Sequence, residues 1–270
     1  MKKVFILAGG YSKEREISLD TAKSVYSELI KDKNFKIKIQ EPNGKFIKNL
    51  RSYKPDIVLN LLHGRYGEDG YIQAILETEK FNYTHSGVLS SSLAMDKGLS
   101  KKIYKKNKIR TPKYLIYSLN LPLNKKLFVK KLDNKLGFPL VIKPLNEGSS
   151  VNVYICSKKN LFRNLSKLKE YEKILIEKYI PGREIQVAIL REKILGAIEL
   201  KPKRKFYDYQ AKYNPEAKTE HIIPIKITNS QYKRVTKIAL KSHKLLKCRG
   251  VSRSDFRFYK NKFYLLETNT

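Results

Sequence analysis

Two polar runs near the end of the 270-residue sequence hold the side chains best suited to chemistry. Residues 252–259 and 262–269 alternate polar and apolar side chains about a turn at Asn261, a pattern that predicts a β-hairpin. In that register Tyr259 faces Phe263, Arg257 faces Leu265, Asp255 faces Glu267 and Arg253 faces Asn269. Strand side chains alternate between faces, so Arg253, Asp255, Glu267 and Asn269 share one of them. Two carboxylates and an amide oxygen are hard ligands that suit Mg²⁺ carrying phosphate groups. An arginine beside them can hold a transferring phosphoryl group or a developing oxyanion. A solvated charge cluster has the same composition, and a slip of one residue would divide the set between faces, so the register decides.

Other polar groups fall where the chain turns. Glu147-Gly148-Ser149-Ser150 separates two short apolar runs, 140–143 and 151–156. Its backbone N–H groups can fold over phosphate oxygens, although a plain hairpin turn accounts for the segment as well. Lys143, just ahead of it, offers a point charge for a phosphate. His63 opens the glycine-dense run 63–70, a composition made for close backbone approach rather than packing. Taken alone, His63 reads as a structural histidine and Glu14 as an acid favoured at a helix start. Residues 205–213 form a tyrosine-rich polar stretch in a loop of about twenty residues, a length at which lids and binding loops occur.

The elements that must position these groups alternate in type. Residues 4–8 predict a buried strand ending at Gly9-Gly10. Leu19, Ala22, Val25, Leu29 and Ile30 then recur at helical spacing behind Ser18 as an N-cap. Phe35, Ile37 and Ile39 predict a second strand, and 57–62 a third that runs into His63-Gly64. This order argues for a parallel sheet whose crevice lies beyond the strand C-termini. Further on, Asp96 starts a lysine-rich helix that Thr111-Pro112 stops. Strands follow at 114–117, 140–143, 151–156, 173–177, 185–190 and 193–200, and a helix at about 230–247 precedes the terminal hairpin. The fold class is α/β in three lobes.

Composition limits the function classes. Lys and Arg number 57 against 25 Asp and Glu, a formal charge of +32. The lysines are spread along the chain without a basic tail or compact recognition motif, which predicts a solvated surface and no specific nucleic-acid partner. No stretch approaches the roughly 20 apolar residues of a membrane span, so no membrane insertion is expected. The apolar run at the start ends at Gly9-Gly10, too soon for a secretion signal. Cys156 and Cys248 are the only cysteines, which points to a reducing cytoplasm rather than a disulfide framework.

Together these segments resemble the D-alanine–D-alanine ligases of the ATP-grasp superfamily, nearly from end to end. The resemblance rests on Gly9-Gly10 with residues 12–18, His63 through Gly70, residues 83–87, Met95-Asp96-Lys97, Lys143-Pro144 with 147–150, and 177–184. Residues 206–213, 248–256 and Glu267-Thr268-Asn269 complete it. It implies a three-lobed ATP-grasp architecture: a Rossmann-like parallel-sheet domain over 1–87, a central subdomain over 88–178 and a C-terminal subdomain over 179–270. It implies ATP-dependent joining of two D-alanines through an acyl phosphate, for peptidoglycan precursor synthesis, by a homodimer.

By the same resemblance Lys97 and Lys143 contact ATP phosphates and the edge of the adenine pocket. Glu177, Lys178, Tyr179 and Ile180 grip adenine, and Glu184 binds the ribose. Ser149 lies in the loop over the phosphates, and Lys212 reaches the γ-phosphate. Asp255, Glu267 and Asn269 match the ligands of two Mg²⁺ ions, which Mn²⁺ can replace. Glu14 binds the ammonium of the first D-alanine, with His63 near its carboxylate. Ser149 and Tyr213 link to Glu14 by hydrogen bonds, and Arg253 stabilises the tetrahedral oxyanion. Asn152 departs from the family's usual glycine, which implies a stiffer phosphate loop. The family pattern also continues beyond Asn269 with groups for the second D-alanine, whereas this sequence stops at Thr270. A catalytically impaired nucleotide-binding remnant is therefore the alternative expectation, with a basic nucleic-acid-binding protein behind it.

Overall fold

The computed structural model describes residues 1–202 and 219–270. Among them, three separate sheets form. The first is parallel, in the order β2-β1-β3: β1 (Lys2–Leu7), β2 (Phe35–Gln40) and β3 (Ile57–Asn60). β1 is central because its Val4-Phe5-Ile6-Leu7 run buries side chains on both faces. Helix α1 (Arg15–Leu29) lays Leu19, Ala22 and Val25 on one face, while α2 (Phe46–Tyr53) and α3 (Tyr71–Thr78) cover the other.

Ser18 is not the cap of α1. The helix starts a turn earlier, with Glu14 at the N-cap position, because the Ser12 hydroxyl accepts from the Glu14 N–H at 3.1 Å and sets up the turn. Ser18 is instead buried one turn inside. Its hydroxyl accepts from Gly9 N–H at 2.8 Å and donates to the Leu61 carbonyl at 2.6 Å, tying the ends of β1 and β3 together.

Helices α4 (Val88–Met95) and α5 (Lys97–Lys106) follow, and the Asp96 carboxylate caps α5 by accepting from Gly98 and Leu99 N–H at 2.8 and 2.9 Å. The second sheet is antiparallel, in the order β4-β7-β5-β6: β4 (Tyr114–Ser118), β5 (Leu140–Pro144), β6 (Tyr154–Cys156) and β7 (Lys173–Lys178). Between β4 and β7 come α6 (Lys125–Lys135) and α7 (Leu161–Ser166), whose Phe128, Leu132, Leu161 and Leu165 fill this sheet's core. β6 begins at Tyr154, not Val151: Ser149, Ser150 and Asn152 take φ of 47°, 61° and 55°, left-handed values that no strand accommodates.

The third sheet, also antiparallel, has the order β10-β9-β8-β11-β12. Its strands are β8 (Arg183–Leu190), β9 (Lys193–Lys201), β10 (Glu220–Ile222), β11 (Val251–Tyr259) and β12 (Lys262–Asn269). Helix α8 (Asn229–Leu245) starts in a reciprocal cap between Thr228 and Gln231 and buries Val235 and Ala239 against the sheet, where Ala94 and Tyr104 of α4 and α5 join the same core.

The register of β11 and β12 corrects the sequence reading at one end only. Asp255 does oppose Glu267, and Arg253 opposes Asn269. Beyond a bulge next to Asp255, however, Phe256 pairs with Leu265, Arg257 with Tyr264 and Phe258 with Phe263. The tip is a two-residue turn, Lys260-Asn261, with φ of 45° and 57°, and this tighter turn shifts the pairing by one. Leu266 is the extra residue that restores it. Phe263 and Leu265 therefore point into the core, while Leu266 and Glu267 both line the cleft on the other side.

Candidate functional site

A cleft lies between the second and third sheets. Lys143, Glu177, Tyr179 and Ile180 line it from one side, Glu184, Asp255, Leu266 and Glu267 from the other, and Glu147, Gly148 and Ser150 from above. Lys143 and Glu177 sit on adjacent strands β5 and β7 and are both buried. Lys143 Nζ lies 2.7 Å from Glu177 Oε1, and Lys101 Nζ lies 2.9 Å from Glu177 Oε2.

Two ammonium groups thus share one carboxylate in a place sealed from water. Burial opposes all three charges. For Glu177 the attraction of Lys101 and Lys143 outweighs burial and holds its pKa below the ordinary value. For Lys143 burial is overcome by Glu177 and Glu267, so its pKa is raised. For Lys101 burial prevails and the pKa is lowered. The cluster has one more potential cation than anions, which favours an anionic ligand at Lys143. Lys101 was missed by the sequence reading. Its signal was its place four residues after Lys97, on the same face of α5. It also donates to the Thr111 hydroxyl at 2.6 Å.

Lys97 Nζ donates to the Glu147 carbonyl at 2.5 Å and lies 3.3 Å from Glu267 Oε2, bridging the loop after β5 and β12. The Lys178 ammonium turns away and donates to the Gly137 and Phe138 carbonyls, both at 3.0 Å, so the residue faces the cleft otherwise than through its charge. Glu184 lies 3.4 Å from Arg257 Nη1.

The hairpin face brings Arg253, Asp255, Glu267 and Asn269 together. Arg253 grips Asp255 with both arms of its guanidinium, Nε to Oδ1 at 2.8 Å and Nη2 to Oδ2 at 3.0 Å. That contact raises the arginine's pKa, so its charge is permanent. Asn269 Nδ2 lies 3.4 Å from Asp255 Oδ2. Among the described residues no cluster of three His, Cys, Asp or Glu groups forms. The trio here is two carboxylates and one amide, whose charge Arg253 and Lys97 currently balance. As hard oxygen donors on one face they fit Mg²⁺ or Mn²⁺.

Across the cleft the Ser149 hydroxyl donates to Glu14 Oε1, joining the loop after β5 to the start of α1. His63 Nε2 is 3.3 Å from the Thr21 hydroxyl. Burial, helped by the charges of Arg253 and His85, lowers the His63 pKa and keeps the ring neutral near pH 7. Glu68, in the glycine-dense loop, accepts from Gly64 N–H at 2.6 Å. Burial pushes its pKa up to about 7. It shares a second hollow of about 360 Å³ with Lys97, Gly148, Glu267 and Asn269. The sequence reading marked this loop but not this residue. Lys212 and Tyr213, by contrast, lie outside the described residues.

This geometry has counterparts among known proteins. The family model for the D-Ala–D-Ala ligase C-terminus matches residues 103–270. The D-alanine–D-alanine ligase of Pelagibacter ubique is 59% identical over 269 residues, covering 100% of this chain and 88% of that protein. The ligase of Wolbachia pipientis wMel is 41% identical and covers 99% of this chain and 83% of that protein. A crystal structure of D-alanine–D-alanine ligase from Bacillus anthracis superposes with a TM-score of 0.86 at 36% identity, over 100% of this chain and 87% of that one. The same organism's enzyme complexed with ATP gives 0.83 at 31% identity, over 100% and 86%. The three-sheet fold, the cleft and these relatives converge: the chain belongs to the D-alanine–D-alanine ligase family.

Proposed function

We propose that this chain is an ATP-dependent, ADP-forming ligase that joins two D-alanines into D-alanyl-D-alanine for peptidoglycan precursor synthesis. The observation that carries this reading is the junction of three features at one cleft: the lysine–carboxylate cluster, the oxygen ligands of the hairpin, and the Ser149–Glu14 bond. The family relatives support it, and they do not favour a nucleotide-binding remnant or a nucleic-acid-binding protein.

In this reading the first D-alanine's carboxylate attacks the γ-phosphate of ATP, giving an acyl phosphate and ADP. The amine of the second then attacks that carbonyl and phosphate leaves. The chain's own work is positioning and charge stabilisation. Lys97 and Lys143 hold phosphate oxygens, with Ser149 in the loop above them. Glu177, Lys178, Tyr179 and Ile180 border the adenine, and Glu184 binds the ribose. Asp255, Glu267 and Asn269 hold Mg²⁺, or Mn²⁺, which when bound offsets the charge of the polyphosphate. Glu14 binds the ammonium of the first D-alanine. Neutral His63 meets its carboxylate as a hydrogen-bond partner rather than as a counter-charge. Arg253 faces the developing oxyanion, and Lys212 and Tyr213 serve from the segment beyond β9.

We further read residues 1–87, 88–178 and 179–270 as three units, and the working form as a cytoplasmic homodimer. No helix among the described residues is long and apolar enough to cross a membrane.

The test is direct. ADP release should require both D-alanine and Mg²⁺, with D-alanyl-D-alanine identified by mass spectrometry. Asp255→Asn, which removes one ligand charge and its pairing with Arg253, should lower kcat by at least about 100-fold. Absence of turnover, or equal turnover with L-alanine, overturns the reading.

A further inference from the structure

The loop that follows β5 is held at two places, and the second involves none of the groups assigned above. At the substrate side Ser149 reaches Glu14. At the far side Asn152 makes three side-chain hydrogen bonds. Its Nδ2 donates to the Tyr171 hydroxyl at 3.0 Å and to Glu170 Oε1 at 3.2 Å, and its Oδ1 accepts from the Tyr154 hydroxyl at 3.1 Å. Tyr171 completes the ring by donating to Glu147 Oε1 at 3.0 Å, at the loop's other end. The loop leaves Glu147, passes over the cleft and returns at Asn152, and the Tyr171 hydroxyl touches both ends.

Several facts make this more than incidental contact. Asn152 adopts φ of 55°, a left-handed conformation that asparagine tolerates better than most side chains, so the residue both permits the return and anchors it. Toward the loop the Tyr171 hydroxyl serves once as acceptor, from Asn152, and once as donor, to Glu147. Burial pushes its pKa up to about 12, so it remains a donor at neutral pH. The outer extension of the ring, Lys13 to Glu170 at 3.3 Å, joins two exposed side chains and contributes little. The holding force resides in the partly buried bonds among Asn152, Tyr154, Tyr171 and Glu147.

We infer that Asn152 and Tyr171 are positioning residues that clamp the two ends of the phosphate loop and so fix its height over the nucleotide cleft, independently of the Ser149–Glu14 bond. This rests on residues 148–151 acting as the phosphate loop. A loop fixed at both ends loses less conformational entropy when its N–H groups meet phosphate oxygens. The clamp therefore governs nucleotide affinity more than the chemical step.

Two substitutions test it. Asn152→Gly removes the three bonds yet keeps the left-handed backbone accessible. Tyr171→Phe removes one hydroxyl and leaves the ring in place. Hydrogen exchange of the amides at 146–153 is read by mass spectrometry alongside KM for ATP and kcat. Loss of the clamp should raise exchange and the KM for ATP by about tenfold each in Asn152→Gly, with kcat changed by less than about threefold. Tyr171→Phe should act in the same direction, and the double variant should cost clearly less than the sum of the two, because they share a bond. Unchanged loop exchange in both single variants, or effects that simply add, overturns the inference. Exchange is read without catalysis, so it decides the clamp even if the ligase reading fails.

Discussion

The two walls of the cleft between the second and third sheets hold their polar groups by different physics. The strand wall sets Lys143 and Glu177 on the two central, neighbouring strands of an antiparallel sheet, with Lys101 reaching in from α5, all three buried. The loop wall, residues 147–152, offers mostly small side chains, left-handed backbone and hydrogen bonds made largely by neutral donors, the hydroxyls of Ser149 and Tyr171 and the amide of Asn152. Charge on the first wall is fixed before any ligand arrives, because a buried ion cannot wander without losing its partner. Backbone N–H groups on the second sit on a loop whose individual side-chain hydrogen bonds are each worth only about 1–3 kcal/mol. One wall supplies field strength and the other supplies fit.

That contrast can be broken from either side. The largest effect should come from Glu177→Gln, which strands two buried ammonium groups. A loss of about 3–5 kcal/mol is expected, seen as a fall in Tm of roughly 10 °C. Lys101→Met leaves a balanced Lys143–Glu177 pair and should cost clearly less. If Lys101→Met is as damaging as Glu177→Gln, the cluster is held by shape rather than by charge.

Ser149→Ala, on the loop wall, should barely move Tm yet lower kcat/KM by about 10- to 100-fold, the worth of a hydrogen bond to a charged group. A large Tm loss there would erase the distinction between the walls. The smallest effect should be a pH dependence at His63, beside the cleft. Its folded pKa is depressed below the ordinary 6.5 by burial. Stability is therefore complete above pH 6.5 and is lost as pH falls through the depressed value, where the unfolded chain binds the proton first. Thermal unfolding of His63→Asn across pH 5 to 8 should show a shallower acid decline than the unsubstituted chain.

Much of this was legible in the sequence. Apolar runs such as Val4-Phe5-Ile6-Leu7 announce buried strands, and the spacing of Asp255, Glu267 and Asn269 survives into the structure because the bulge falls just beyond Asp255 and leaves 253–255 paired with 267–269. What escaped was set by tertiary partners. Ser18 looks like a cap, but its hydroxyl bridges two strand ends. Lys101 looks like one of many surface lysines until Glu177, distant in sequence, is brought beside it. Helices α2, α3, α4, α6 and α7 were also passed over. α2, α3, α4 and α7 run two turns or so, too little periodicity to separate from a loop, and the three turns of α6 are lysine-rich with only Phe128 and Leu132 buried.

The bulge at Leu266 has a wider consequence. It acts as a half-step in phase along β12: odd-numbered residues before it, Phe263 and Leu265, serve the core, whereas odd-numbered residues after it, Glu267 and Asn269, serve the site. Core and site thus draw on one strand without sharing a face. Changes that repack the hairpin's tip and changes to its carboxylate and amide groups can accumulate along the same eight residues with little mutual interference.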